Sequence, residues 1–177
     1  HHLVRTVPGN GRLIVNANEQ SLQNVLARGC WSEVETFGTE QGWSIGQACA
    51  DGFEVLWQDK VQGQVHWALL GRHNQMNALA ALAAARHVGV PLEVGIAALA
   101  QFQNVKRRME IKGKIRDITV YDDFAHHPTA IATTIAGLRH KVGKERILAV
   151  LEPRSNTMKL GTMKAQLPHS LQQADLV

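Results

Sequence analysis

Two adjacent carboxylates, two adjacent imidazoles and a proline occur within nine residues, Tyr121-Asp122-Asp123-Phe124-Ala125-His126-His127-Pro128-Thr129. Carboxylates and imidazoles are the side chains that move protons or hold cations near neutral pH. An apolar run with strand spacing (Ile118, Val120) leads in, and an apolar helical pattern (Ile131, Ile135, Leu138) leads out. Ligands of open α/β sheets bind at the carboxyl ends of strands, so a polar strand-to-helix junction is well placed to act. Pro128 suits the first turn of a helix, where its missing N–H costs nothing. The plain alternative is a solvated Asp pair in a loop that caps a helix.

Three further polar groups have the right composition. Asn74 and Asn77, in Gly71-Arg72-His73-Asn74-Gln75-Met76-Asn77, are three apart, so one helical face can present both amides. Such amides can pair with an adenine edge; alternatively Asn74 simply caps the helix. Arg107-Arg108 can clamp a phosphate or stack on a base, or remain a solvated charge pair. The stretch Glu152-Pro153-Arg154-Ser155-Asn156-Thr157-Met158-Lys159 offers two cations and three hydrogen-bonding side chains after an apolar run, a composition suited to carboxylates.

Elements able to position these groups are legible. A short strand at Leu13–Val15 and a helix near Leu22, Val25 and Leu26 come first. Strand-like stretches follow at Trp43–Ala48, Phe53–Trp57 and Val61–Leu69, with Asp51-Gly52 and Gln62-Gly63 as turn residues. An alanine-rich helix over Asn77–Val88, apolar on most sides, is expected to be buried against a sheet. A second helix runs over Leu92–Ala100 after Gly89-Val90-Pro91. Beyond Lys106, a hairpin is expected from Met109–Ile111 and Ile115–Tyr121 across Gly113-Lys114. A helix over Pro128–Lys141, a buried strand over Ile147–Leu151 and a final strand start near Ala174–Val177 complete the pattern, which predicts a parallel sheet with crossover helices.

Composition bounds the rest. A chain of 177 residues, 45% hydrophobic and 19% charged, buries a real core and is not disordered. A net charge of +4 without a basic cluster interleaved with aromatics gives nucleic-acid binding little support. No apolar run reaches membrane-spanning length and no signal peptide is visible, so a cytoplasmic location without membrane contact is expected. Cys30 and Cys49 fit no metal-ligand spacing and read as reduced thiols. His1-His2 is either native or a tag remnant, and oligomeric state is not legible.

Taken in order, GRHNQMNALAALAAA, RRME and YDDFAHHPTAI resemble the Mur ligase family of peptidoglycan synthesis. The DDxxHHPT form is similar to the branch that works on UDP-N-acetylmuramate. LEPRSNTMK and GCWSE (Gly29–Glu33) resemble its recycling members, which take a tripeptide, rather than those that add L-alanine. The resemblance implies an α/β fold: the tail of a central P-loop-type ATPase domain over 1–105, then the start of a Rossmann-like C-terminal domain over 106–177, both parts of a three-domain ligase.

The implied reaction joins the lactyl carboxylate of UDP-N-acetylmuramate to the amine of L-alanyl-γ-D-glutamyl-meso-diaminopimelate, the murein tripeptide, through an acyl phosphate made from ATP. The family resemblance assigns His73, Asn74 and Asn77 to adenine, Arg108 to the nucleotide, and Asp123 to the ribose. Arg108 and Asp123 would lie across a hinge from the asparagines. It gives His126 a positioning or acid–base role and Arg154, Ser155, Asn156, Thr157 and Lys159 the tripeptide. Phe124 stands where relatives have a tyrosine. The phosphate loop, the Mg²⁺ ligands and the UDP-binding domain are expected upstream, so the chain alone is expected to be inactive. An L-alanine ligase of the same branch, an inactive nucleotide-binding fragment and a purely structural domain are the competing readings.

Overall fold

The computed structural model describes residues 1–49, 51–153 and 156–177, with Thr157 and Lys159 described by backbone alone. It divides into two compact units, residues 1–68 with 74–102, and residues 69–73 with 103–177.

The first unit runs α1 (His2–Thr6), β1 (Arg12–Asn16), α2 (Gln20–Leu26), β2 (Glu33–Phe37), β3 (Trp43–Cys49), β4 (Gly52–Trp57), β5 (Lys60–His66), α3 (Arg72–His87) and α4 (Leu92–Ala100). The first two residues of α3 are counted with the second unit. One five-stranded sheet has the order β1-β2-β3-β4-β5. Its β1–β2 and β2–β3 pairings are parallel, and β3–β4 and β4–β5 antiparallel. Phe53 and Val55 are two apart on β4 and so share a face. With Trp43 and Val65 they meet Ala78, Leu79, Leu82 and Ala83 of α3, forming the buried core.

Sequence reasoning missed two elements here, α1 and β2. β2 reads Glu-Val-Glu-Thr-Phe, an unpromising core strand, yet Glu35 is buried. Its carboxylate is tolerated because Trp43 Nε1 donates to it at 2.5 Å and Arg12 donates to its other oxygen at 2.5 Å, with Arg86 at 3.6 Å. α3 is buried along one stripe, not all round: Asn77, Ala81 and Ala84 are exposed. It begins five residues before the expected Asn77, so Asn74 lies inside the helix and is not its cap. The β4–β5 turn falls at Gln58 and Asp59, both with positive φ (48° and 60°), the geometry of a tight hairpin turn. Gln62-Gly63 lies within β5 instead.

The second unit holds β6 (Glu110–Ile115), β7 (Ile118–Asp122), α5 (Pro128–Val142), α6 (Asn156–Lys159) and α7 (Leu167–Ser170). β6 and β7 pair antiparallel, and the turn is Arg116-Asp117 rather than Gly113-Lys114. A register shift between Ile111 and Gly113 absorbs the difference. α5 buries Ile131 and Ile135. Gly71, at φ +85°, lies so close to Gly137 of α5 that a Cβ on Gly137 would sit 3.2 Å from its Cα.

The expected buried strand over Ile147–Leu151 does not form. Ile147 is buried, but Leu148 and Val150 are 66% and 90% exposed, and among the described residues the segment's strand pairing is a single parallel bridge from Leu148 to Leu176. A strand needs a ladder partner for its backbone; Asp175 supplies a local substitute, accepting from Ile147 N–H at 2.7 Å and from Arg139 at 2.5 Å. Among the described residues the expected parallel sheet of this half is thus reduced to one bridge, with an antiparallel hairpin in the same unit. Among the described residues no helix is long and apolar enough to cross a membrane.

Candidate functional site

The β7–α5 junction is built around Asp123. Asp122 is the last residue of β7, and Asp123 follows it with a different set of partners. Asp122 faces Arg107 Nε at 3.5 Å and Lys112 Nζ at 3.9 Å. Asp123 turns inward: its Oδ2 accepts from Met109 N–H at 2.9 Å, and its Oδ1 from Ala125 N–H at 2.8 Å and the Thr134 hydroxyl at 3.5 Å. A carboxylate that accepts backbone N–H groups makes charge-assisted bonds, among the stronger ones in a protein.

Those bonds hold an unusual turn. Arg107 and Met109 both have positive φ, 59° and 50°, which non-glycine residues rarely adopt. Arg107 is fastened in addition by its backbone, donating to Glu110 Oε2 at 2.9 Å and accepting from Phe124 N–H at 2.8 Å, while its guanidinium stacks 4.8 Å over the Phe124 ring. Lys112 and the Arg107 N–H hold the Glu110 carboxyl below its usual range. Arg108, between the two strained residues, is exposed, and none of the described residues forms an ion pair with its guanidinium. The turn therefore fixes one arginine as a strut and presents the next.

The paired histidines take opposite tautomers. His126 Nδ1 lies 3.0 Å from the Phe124 carbonyl, which only accepts, so Nδ1 carries the proton and Nε2 the lone pair. His127 caps α5, its Nδ1 accepting from Thr129 N–H at 3.2 Å, which puts the neutral ring's proton on Nε2. His126 is exposed and rests against Phe124, ring centroids 5.0 Å apart. It offers a basic nitrogen to solvent, whereas His127 is committed to the helix.

His73 belongs to the same unit as Asp123 and Arg108. Its Nδ1 is buried without a hydrogen-bond partner among the described residues. Burial pushes its pKa below the ordinary value, Asp123 opposes that shift and Arg108 adds to it. Asn74 and Asn77 belong to the first unit. They lie in the first turns of α3, Asn74 half-buried and Asn77 exposed, on one helical face. Beside them Met76 packs so near Gly38 that a Cβ there would come within 2.5 Å of Met76 Cε.

Of the residues expected to bind carboxylates, Arg154 and Ser155 lie outside the described residues, as do the side chains of Thr157 and Lys159; Asn156 opens α6 and is exposed. Sequence reasoning missed Thr134, whose hydroxyl reaches Asp123 from the second turn of α5, and the positive-φ turn. Neither leaves a signal in residue spacing. It also missed that Cys49, Asp51 and His66 come together, their ligand atoms within 4.8 Å of one another.

Comparison with known proteins follows this division of the chain. The family model for the Mur ligase middle domain matches residues 1–85, and that for the Mur ligase glutamate ligase domain matches residues 107–177. The chain is 52% identical, over its full length and 39% of the relative's, to the UDP-N-acetylmuramate–L-alanyl-γ-D-glutamyl-meso-2,6-diaminoheptandioate ligase of Escherichia coli. The ligase of the same name from Haemophilus influenzae is 48% identical over the whole chain and 40% of its own length. The crystal structure of a murein peptide ligase from Psychrobacter arcticus superposes with a TM-score of 0.69 at 41% identity, covering 99% of this chain and 38% of that one. The chain thus spans about two fifths of the length of the relatives it matches.

Proposed function

Because the chain belongs to the Mur ligase family, we propose that it is part of an ATP-dependent ligase that joins UDP-N-acetylmuramate to the tripeptide L-alanyl-γ-D-glutamyl-meso-diaminopimelate in cytoplasmic recycling of peptidoglycan. The observation that carries this reading is the identity with tripeptide ligases along the whole chain. In this reading residues 1–105 are the tail of the central ATP-binding domain and 106–177 the start of the C-terminal domain.

A carboxylate is a poor electrophile, and its phosphorylation by ATP supplies a leaving group. The tripeptide amine attacks the acyl phosphate, and the tetrahedral intermediate expels phosphate. Asn74 and Asn77 pair with the adenine edge, with His73 beside them. Arg108 meets the phosphates, where a guanidinium gains most from a planar anion. Asp123 is assigned to the nucleotide, and its acceptance from two backbone N–H groups favours holding the Arg108 turn over touching the ribose. His126 positions the reacting groups or takes the amine's proton at Nε2, the nitrogen its hydrogen bond leaves unprotonated. Arg154, Ser155, Asn156, Thr157 and Lys159 select the carboxylate-rich tripeptide.

Mg²⁺ accompanies ATP in such chemistry, but the residues of the β7–α5 junction do not fit it. Asp122 is paired with cations and Asp123 with N–H groups.

The test follows phosphate release by the full-length protein with ATP, Mg²⁺ and UDP-N-acetylmuramate, adding either L-alanine or the tripeptide. Release with tripeptide alone is expected. Release with L-alanine would make it the biosynthetic ligase, and release with neither would leave a nucleotide-binding module. The 177-residue chain contains no GxxxxGK[ST] phosphate loop and is expected to show no turnover by itself.

A further inference from the structure

Cys49 ends β3, Asp51 lies in the following turn and His66 ends β5. Antiparallel pairing sets Cys49 opposite Gly52 and Gly52 opposite His66, which gathers the three side chains at one end of the sheet. The approach is close: a Cβ on Gly52 would meet the Val65 carbonyl oxygen at 2.1 Å, so only glycine lets β5 come this near the turn. Cys49 Sγ is 3.7 Å from Asp51 Oδ1, His66 Nδ1 is 3.3 Å from the same oxygen, and all three ligand atoms lie within 4.8 Å of one another.

A tetrahedral zinc ion with Zn–S about 2.3 Å and Zn–N or Zn–O about 2.0–2.1 Å needs sulfur–oxygen and nitrogen–oxygen separations of about 3.5 and 3.3 Å. Two edges of the tetrahedron are therefore nearly in place. Gln64, two residues before His66 and so on the same face of β5, donates its Nε2 to Cys49 Sγ at 3.0 Å. That bond also suits a coordinated thiolate, as outer-shell donors do.

We propose that Cys49, Asp51 and His66 form a zinc-binding site with three protein ligands and a fourth position open to water, on residues that the proposed ligase reaction does not use. The donor set decides the ion: a thiolate with an imidazole disfavours Mg²⁺ and Ca²⁺ and favours a borderline-soft divalent cation. Coordination displaces to solvent the thiol proton that otherwise lies toward Asp51 Oδ1 3.7 Å away, and the ion's two charges then balance the thiolate and the carboxylate.

The experiment titrates the full-length protein with Co²⁺ and follows the near-ultraviolet cobalt–thiolate absorption, then displaces the Co²⁺ with Zn²⁺. One equivalent is expected to give the band and Zn²⁺ to abolish it. Cys49→Ser is expected to remove the band, and His66→Gln and Asp51→Asn to weaken binding at least tenfold, while Cys30→Ser leaves it unchanged. Circular dichroism confirms that each variant is folded, and phosphate release is expected to stay within twofold of the parent. Absence of a thiolate band in the parent, retention of the band in Cys49→Ser, or binding indifferent to His66→Gln would overturn the proposal.

Discussion

Removing the Asp123 carboxylate tests how the Arg108 turn is held. Each charge-assisted bond from Asp123 to a backbone N–H contributes about 1.5–3 kcal/mol, so the two to Met109 and Ala125 together contribute about 3–6 kcal/mol. Against them stand two left-handed residues, Arg107 and Met109, at about 1–2 kcal/mol each. In Asp123→Ala the turn is expected to relax, recovering that strain, so the net loss of stability is only about 1–2 kcal/mol. The functional loss is expected to be larger, because relaxation moves Arg108. The assay is the KM for ATP in the full-length enzyme, with urea unfolding alongside, for Asp123→Ala, Arg108→Ala and the double variant. If Asp123 acts through Arg108, the double variant is no worse than Arg108→Ala alone. Multiplying effects would mean that Asp123 touches the nucleotide itself, and an unchanged KM in Asp123→Ala would refute both roles.

Three other outcomes follow from the geometry. Glu35→Ala leaves the buried Trp43 N–H without its acceptor and Arg12 with Glu33 alone, and a loss of about 1–3 kcal/mol is expected in urea unfolding of the first unit's transition; a loss under 1 kcal/mol would make the network ornamental. The half-buried His73 has its pKa depressed, so its stabilising contribution is complete above the ordinary value of 6.5 and declines as pH falls through the lowered value; His73→Gln should flatten that part of a stability–pH profile measured by thermal unfolding. Arg154→Ala and Lys159→Ala are expected to raise the KM for tripeptide tenfold or more while the KM for ATP stays within twofold, measured by phosphate release.

Local chemistry was readable without coordinates. The proline at the first turn of α5, the glycine after α3, the alternation of Phe53 and Val55 and the Asn74/Asn77 spacing are properties of neighbours in the chain, and α4 was placed to the residue. So was the family, because the motifs that carry it are contiguous. What only tertiary structure decided depends on partners distant in sequence. β2 is a strand because Arg12, Trp43 and Arg86 make a buried Glu35 tolerable, and no alternation rule anticipates that. Ile147–Leu151 has strand composition, yet composition does not supply a ladder partner. Two adjacent aspartates looked like a pair, but the fold gives one to Arg107 and Lys112 and the other to Met109 and Ala125. Cys49 had no metal-ligand spacing because its companions sit on a turn and on the far strand of a hairpin. Periodicity encodes which way a side chain points; only the fold determines what it meets there.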